Sequence, residues 1–267
     1  MSTRINQLLR CMKSIRYSSM FLSFCVFLSN SEPINAQTAT NKPIKILLIT
    51  SGCCHNYPLQ TKAMNDAMNK IAPKATWTVM SEGGTTTRGT IALYDNPDWG
   101  KNYDVIVHNE CFADTKDSEY FRKITKAHYA GIPAVVIHCA MHTYRAAEEN
   151  DWREFLGVTS KRHDEKQAKY PVTLVEAKHT ILKGMPNNWV TPFDELYIID
   201  KFWPNSKALA SAVSEVDGKS YPIAWTNQYG KARVFGTTFG HSTGTFSDPI
   251  FLTMVSRGIL WAAGAIK

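Results

Sequence analysis

The chain has little of what marks the specialised protein classes. Only six of its 267 residues are cysteine, and no spacing among them resembles a zinc ribbon or a disulfide-stapled miniprotein. Charged residues make up 20% and hydrophobic ones 44%, a balance that excludes collagen, coiled coils and disordered chains. No apolar run approaches the ~20 residues a membrane-spanning helix requires. The lysines and arginines are scattered with no run of five, so no nucleic-acid footprint is present. Internal repeats and low-complexity linkers are absent too. What remains is one compact α/β domain, long enough to bury roughly 70–75% of its unfolded surface without staples.

The first residues differ in kind from the rest. Arg4, Arg10, Lys13 and Arg16 form a basic start, Met20–Leu28 is a short apolar run, and Ile34-Asn35-Ala36 is a small-residue cleavage pattern before Gln37. This order predicts a secretory signal over residues 1–36, a short linker over 37–43 and a single domain over 44–267. No stable membrane span is expected after cleavage, and the protein is expected in the periplasm or outside the cell. Cleavage removes four basic residues and Glu32, leaving 26 basic and 22 acidic residues and lowering the net charge from +7 to +4. It also removes Cys11 and Cys25. Cys53, Cys54, Cys111 and Cys139 remain; the adjacent pair is not expected to bond to itself, whereas a bridge from either to Cys111 or Cys139 is open.

Apolar runs alternate with amphipathic segments. Ile44–Thr50, closed by Ser51-Gly52, reads as a buried parallel strand. Leu59–Ile71 is a helix with Met64, Ala67, Met68 and Ile71 at helical spacing, stopping before Pro73. Ala75–Met80, Asp104–His108 and Ala134–His138 are further strands, and Ser118–Ala130 a helix. Beyond them, Val172–Glu176, Lys207–Val213, Tyr221–Trp225 and Ala232–Thr237 read as strands and Ile250–Ala263 as a closing helix, with a hairpin turn at Tyr229-Gly230-Lys231. The alternation predicts a doubly wound sheet, in which ligands bind beyond the carboxyl ends of the strands.

Polar residues gather at those ends: Cys53-Cys54-His55-Asn56 after the first strand, His108-Asn109-Glu110-Cys111 after the third, His138 to Arg145 after the fourth, and Gly240-His241-Ser242 after a late one. His55, Glu110, His138, His142 and His241 therefore fall on one rim, whereas His128 and His163 read as surface residues. His138 and His142 share a face if a helix begins there, a spacing that can hold a metal. Three chemistries fit: a divalent metal held by histidines with Glu110, Asp194 or Glu195; direct acid–base catalysis by histidine and glutamate; or a Cys139 nucleophile. The Gly-rich loop Glu82–Thr87 has neither a Walker lysine nor a G-x-G-x-x-G spacing, so no nucleotide cofactor is expected.

Several segments together carry a resemblance: His138-Cys139-Ala140-Met141-His142, His179–Pro186, Asp194-Glu195 before Leu196-Tyr197, Pro222–Trp225, and Tyr229–Phe235 with Gly240-His241. In order and spacing they resemble the ThuA-like (trehalose utilisation) family, from about Ile44 to Ala263. The resemblance implies a class I glutamine amidotransferase-like, flavodoxin-like fold: a doubly wound, mostly parallel sheet in a three-layer αβα arrangement. In the amidotransferases a nucleophilic cysteine occupies a sharp turn after the Gly-Ile-Pro-led strand. Here that position holds His138, with Cys139 one residue later and no glycine following, which disfavours cysteine chemistry and makes Cys139 a small packing residue.

The resemblance also implies a small-molecule sugar partner, such as a disaccharide or 3-keto-glycoside, handled by His/carboxylate acid–base chemistry with or without one divalent metal ion. His138, His142 and Glu110 are then the candidate catalytic residues. His55, Asn56, Tyr144, Arg145, Asp194, Glu195 and His241 are the candidate substrate-binding residues, and His55, His138, His142 and His241 the candidate metal ligands. Trp152, Tyr144, Tyr197 and Trp203 could stack on a sugar or pack in the core. A non-catalytic carbohydrate-binding or accessory domain and a metal-dependent hydrolase of another exported substrate are the alternatives, and the oligomeric state is left open.

Overall fold

The computed structural model describes residues 43–267; the expected signal over 1–36 and residues 37–42 of the expected linker lie outside the described residues. Buried apolar runs form β1 (Ile44–Gly52), β3 (Val105–Cys111) and β4 (Ala134–Ile137), and the half-exposed Ala75–Met80 forms β2. They pair in parallel in the order β2-β1-β3-β4. β10 (Ala232–Thr237) joins β4 in parallel, and the sheet then continues antiparallel through β9 (Ser220–Tyr229), β8 (Ser206–Val213) and β6 (Val172–Leu174) to eight strands. The hairpin between β9 and β10 turns at the expected Gly230, whose φ of +54° suits glycine.

Helices cover both faces, which is why the central strands are apolar on both sides. α1 (Tyr57–Ile71) and α4 (Pro249–Ala262) pack Met64, Met68, Val255 and Leu260 against one face. α2 (Ser118–Tyr129) and α3 (Asp151–Leu156) pack Phe121, Ile124, Trp152 and Phe155 against the other. The caps are encoded locally. Asn56, Asp117 and Asp248 each accept backbone N–H groups of the first turn of α1, α2 and α4, and each such cap stabilises its helix by about 1 kcal/mol. Among the described residues no helix is long and apolar enough to cross a membrane.

Three elements have no counterpart in the sequence reading: α3, β5 (Val158–His163) and β7 (Tyr197–Phe202), the last two forming a separate antiparallel pair. One boundary matters for function. β4 ends at Ile137, and His138 opens a 3-10 turn, His138–Met141, at a φ of +46°. No α-helix starts there, so His138 and His142 do not lie one turn apart on a helical face.

Candidate functional site

The carboxyl ends of β1, β3, β4 and β10 surround a cavity of about 200 Å3. β1 delivers Cys53, Cys54 and His55 to it; the turn after β4 delivers His138, Cys139 and His142; the loop after β10 delivers His241; β5 and the segment leading into β7 deliver His163 and Glu195. Gly240 lets the last loop close in. At φ +134° any Cβ there would lie 3.0–3.1 Å from Ile137 and His138.

Three imidazoles converge. One ring nitrogen each of His55, His138 and His241 lies within 4.8 Å of the other two. His138 Nδ1 donates to the Thr238 carbonyl at 2.7 Å, so in the neutral ring Nε2 is left as an acceptor. That Nε2 faces the Tyr197 hydroxyl at 3.3 Å and Glu195 Oε2 at 3.6 Å. His55 Nδ1 is 3.2 Å from the Cys53 carbonyl, which fixes Nε2 as the acceptor; it lies 3.2 Å from His241 Nδ1. His241 Nδ1 is also 3.2 Å from Glu195 Oε2, and His163 Nε2 reaches the same oxygen at 3.8 Å. Backbone carbonyls thus set the tautomers of His55 and His138 and aim their lone pairs inward, an arrangement seen in metal-ligating histidines.

The electrostatics follow from burial and from Glu195. Burial, with neighbouring imidazoles adding to it, pushes His55 down to about 3. Burial also pushes His138 down to about 3, against the opposing pull of the Thr238 carbonyl and Glu195. Both rings are neutral at neutral pH. The hydrogen bond to Glu195 raises His241. Burial works to raise Glu195, but the hydrogen bond from His241 and the surrounding histidines outweigh it and bring the carboxyl below its ordinary value. Glu195 is therefore ionised.

Asp194, next in sequence, is buried and faces away from the cavity. It accepts the backbone N–H groups of Gly240 and His241 at 3.1 Å each, and the Thr245 hydroxyl. Burial lifts it to about 6 against those bonds. It ties the His241 loop to Glu195 and so sets the spacing of the two.

The sequence-selected residues divide. His55, His138, His241, Glu195, Arg145 and Tyr197 line the cavity. His142 lines it as well, but its nitrogens face Ser160 Oγ at 3.0 Å and Arg145 Nη1 at 3.4 Å, and its ring stacks on Tyr197 with centroids 3.9 Å apart. Glu110 does not reach the rim. It is fully buried and bonded to His108 Nδ1 at 2.9 Å, because alternation along β3 turns it toward the α2/α3 side with His108. Asn56 caps α1. Tyr144 stacks on Phe121, and Trp152 donates to the Ala140 carbonyl, so both belong to the core. Trp203 lies outside the cavity, under Lys201.

Of the two histidines read as surface residues, only His163 is part-exposed, and it faces the cavity. His128 is wholly buried against His108 and Phe155, and His163 lines the cavity. His163 could have been found only by pairing β5 with β7, which no apolar pattern marks. Cys139 is not mere packing: it lines the cavity and is bonded to Cys111, while Cys53 is bonded to Cys54, against the expectation for neighbours.

Fold and cavity together define an α/β protein with a mostly parallel eight-stranded sheet, consistent with a flavodoxin-like, glutamine amidotransferase-like fold, in which the turn after β4 carries a histidine. The family model described as trehalose utilisation (ThuA) matches residues 60–262, and the chain belongs to that family. A ThuA-like protein of Parabacteroides merdae superposes with a TM-score of 0.65 at 22% identity, covering 84% of this chain and 91% of its own. A ThuA-like protein of Bacteroides uniformis gives 0.62 at 16%, covering 85% and 94%. A cytoplasmic protein of Salmonella typhimurium gives 0.57 at 10%, covering 82% and 99%. At these identities the likeness concerns the fold. No curated protein matches the chain in sequence.

Proposed function

We propose that the protein performs proton-transfer chemistry on a keto-sugar, isomerising a 3-keto-glycoside or eliminating and rehydrating it. Membership of a trehalose-utilisation family supports a role in carbohydrate use. The observation that carries the chemistry is the convergence of three imidazoles on the Glu195 carboxylate at the strand ends. A ketone acidifies the adjoining C–H. Ionised Glu195 removes that proton, and His241, whose charged form the same carboxylate favours, donates to the oxygen on which enolate charge develops. Neutral His55 and His138 accept hydrogen bonds from sugar hydroxyls, and exposed Arg145 borders the mouth.

The donor set also fits a divalent metal, since His55 and His138 present lone pairs already fixed by backbone carbonyls. His55, His138 and His241 would hold it, with nitrogen donors suited to zinc or another late first-row ion, and a bound ion would supply Lewis-acid polarisation of the ketone. Glu195 keeps its role as the base in that case. The basic start and apolar run of residues 1–36 support export, so the substrate is met outside the cytoplasm.

The test is 3-keto-trehalose in D2O with the mature protein, followed by NMR and paired with metal analysis and chelation. Exchange at the carbon beside the ketone, lost by at least about a hundredfold in Glu195→Gln, is the expected result. Sugar binding without exchange would instead leave a carbohydrate-binding module. Product release by hydrolysis without exchange would point to a metal-dependent hydrolase.

A further inference from the structure

The four cysteines among the described residues have no part in the chemistry above, yet all four line the same cavity. They form a chain of sulfurs: Cys54 is bonded to Cys53, Cys53 Sγ lies 3.6 Å from Cys111 Sγ, and Cys111 is bonded to Cys139. The chain runs inward from exposed Cys54 through half-buried Cys53 to buried Cys111, and its far end, Cys139, is half-buried again. The sheet enforces the approach. Gly52 pairs with Cys111 across β1 and β3, and a Cβ on Gly52 would fall 2.2 Å from the Cys111 carbonyl oxygen, so only glycine brings the next residue this close. The Cys53 N–H donates to that carbonyl at 3.3 Å.

A structural role does not account for the outer pair. A disulfide stabilises by closing a loop in the unfolded chain, and a bridge between consecutive residues closes essentially none. Cys54 also holds a φ of +83°, a left-handed conformation that a non-glycine residue adopts rarely and that clusters at functional sites.

We propose that the two disulfides form a thiol–disulfide exchange centre whose substrate is an external dithiol, admitted at Cys54 and read out at Cys139. A thiolate of the dithiol attacks exposed Cys54 Sγ; the Cys53–Cys54 bond breaks and Cys53 leaves as thiolate. The second thiol of the donor resolves the mixed disulfide, leaving as cyclic or linear disulfide and freeing Cys54 as a thiol. Cys53 thiolate then attacks Cys111 Sγ, forming Cys53–Cys111 and releasing Cys139 thiolate. The dithiol is oxidised by two electrons and the protein gains two thiols, Cys54 and Cys139. A second equivalent reduces Cys53–Cys111. The first event thus generates a free thiolate at Cys139, beside His138 and within 4.8 Å of a His55 nitrogen.

The experiment is stepwise reduction of the oxidised mature protein with dithiothreitol, acid quench, alkylation and peptide mapping. After one equivalent the expected products are a Cys53–Cys111 cross-link with Cys54 and Cys139 alkylated. In Cys54→Ser, Cys53 starts as a free thiol, so the same cross-link and free Cys139 are expected with no reductant. Retention of Cys111–Cys139 with only Cys53 and Cys54 alkylated in the wild-type protein would overturn the exchange step. Four free thiols in the untreated protein, with or without bound zinc, would overturn the centre altogether. Neither readout depends on sugar turnover, so its failure and that of the proposed sugar chemistry are told apart.

Discussion

His108, His128 and Glu110 on one side of the sheet, and His55, His138, His241 and Glu195 at its edge, are built from the same two residue types, and only the second group faces a cavity. In the inner group every ring nitrogen is used. His128 Nδ1 donates to the Ile132 carbonyl at 2.7 Å, its Nε2 meets His108 Nε2 at 3.0 Å, and His108 Nδ1 meets Glu110 at 2.9 Å. Phe155 stacks on His128 with centroids 4.4 Å apart, and Trp152 and Trp99 close the sides. In the outer group the carbonyls take one nitrogen each of His55 and His138 and leave the other aimed at the cavity. What separates the two groups is which lone pairs the fold leaves open, not how many histidines it gathers.

The largest effect should come from exchanging the two carboxylates' roles in a pair of variants. Glu195→Gln keeps shape and removes the base, so turnover should fall by about a hundredfold or more while the melting temperature holds. Glu110→Gln should leave turnover within a few-fold and lower stability. Equal losses of turnover in both would erase the distinction between the clusters.

Next in size is the inner cluster's contribution to the core. His128→Ala removes two buried hydrogen bonds and a stacked ring, and should cost about 2–4 kcal/mol in denaturant unfolding with KM unchanged. A loss below about 0.5 kcal/mol would mean the inner cluster is not packed as described. Smaller again is Asp194→Asn, which should weaken the hold on Gly240 and His241 and lower kcat by about tenfold, with little change in KM, because Asp194 positions groups and touches no substrate. An unchanged kcat would separate the His241 loop from the catalytic geometry.

Much of this architecture can be read from the chain. Ala75–Met80 and Ala232–Thr237 have their expected bounds, and Ile44–Thr50 needs only two more residues, because apolar runs bounded by Gly, Pro or polar turns leave little choice. The rim was legible where a histidine follows a buried strand, as at His55, His138 and His241. It was not legible where the deciding fact is which way a strand residue points. Glu110 sits at a strand end like the others, but one residue of register separates the cavity from the core. Nor could spacing show that Val158–His163, with Lys161, Arg162 and His163 in a row, is a strand carrying a site residue, since its partner Tyr197–Phe202 lies 34 residues or more away. The sulfur chain was hidden for the same reason: the contact of Cys53 with Cys111 is a product of the β1–β3 register.

The finest test of the comparison is the pH dependence of stability, measured on chelated protein so that metal affinity plays no part. Burial holds His55, His128, His138 and His142 below the ordinary imidazole value, so the folded state keeps them neutral where the unfolded chain takes up protons. Their contribution is complete above the unfolded pKa of about 6.5 and is lost as pH falls below it, down to about 3 for His55 and His138, at up to about 1.4 kcal/mol per pH unit for each group. His241 runs the other way. Glu195 raises it, so its contribution is complete below about 6.5 and is lost as pH rises through its folded value. Urea unfolding should therefore weaken steeply below pH 6.5, with only the smaller His241 loss on the alkaline side. His128→Gln should make that acid slope shallower, whereas His241→Gln should leave it steep and remove the gentle loss on the alkaline side of 6.5. Buried Asp194, lifted to about 6, opposes the acid loss in this window, so the decisive protein is Asp194→Asn; there, a stability that rises between pH 6.5 and 5 would show the buried rings carrying charge, and the contrast between an inner cluster with every ring nitrogen used and an open outer one would then rest on the wrong protonation states.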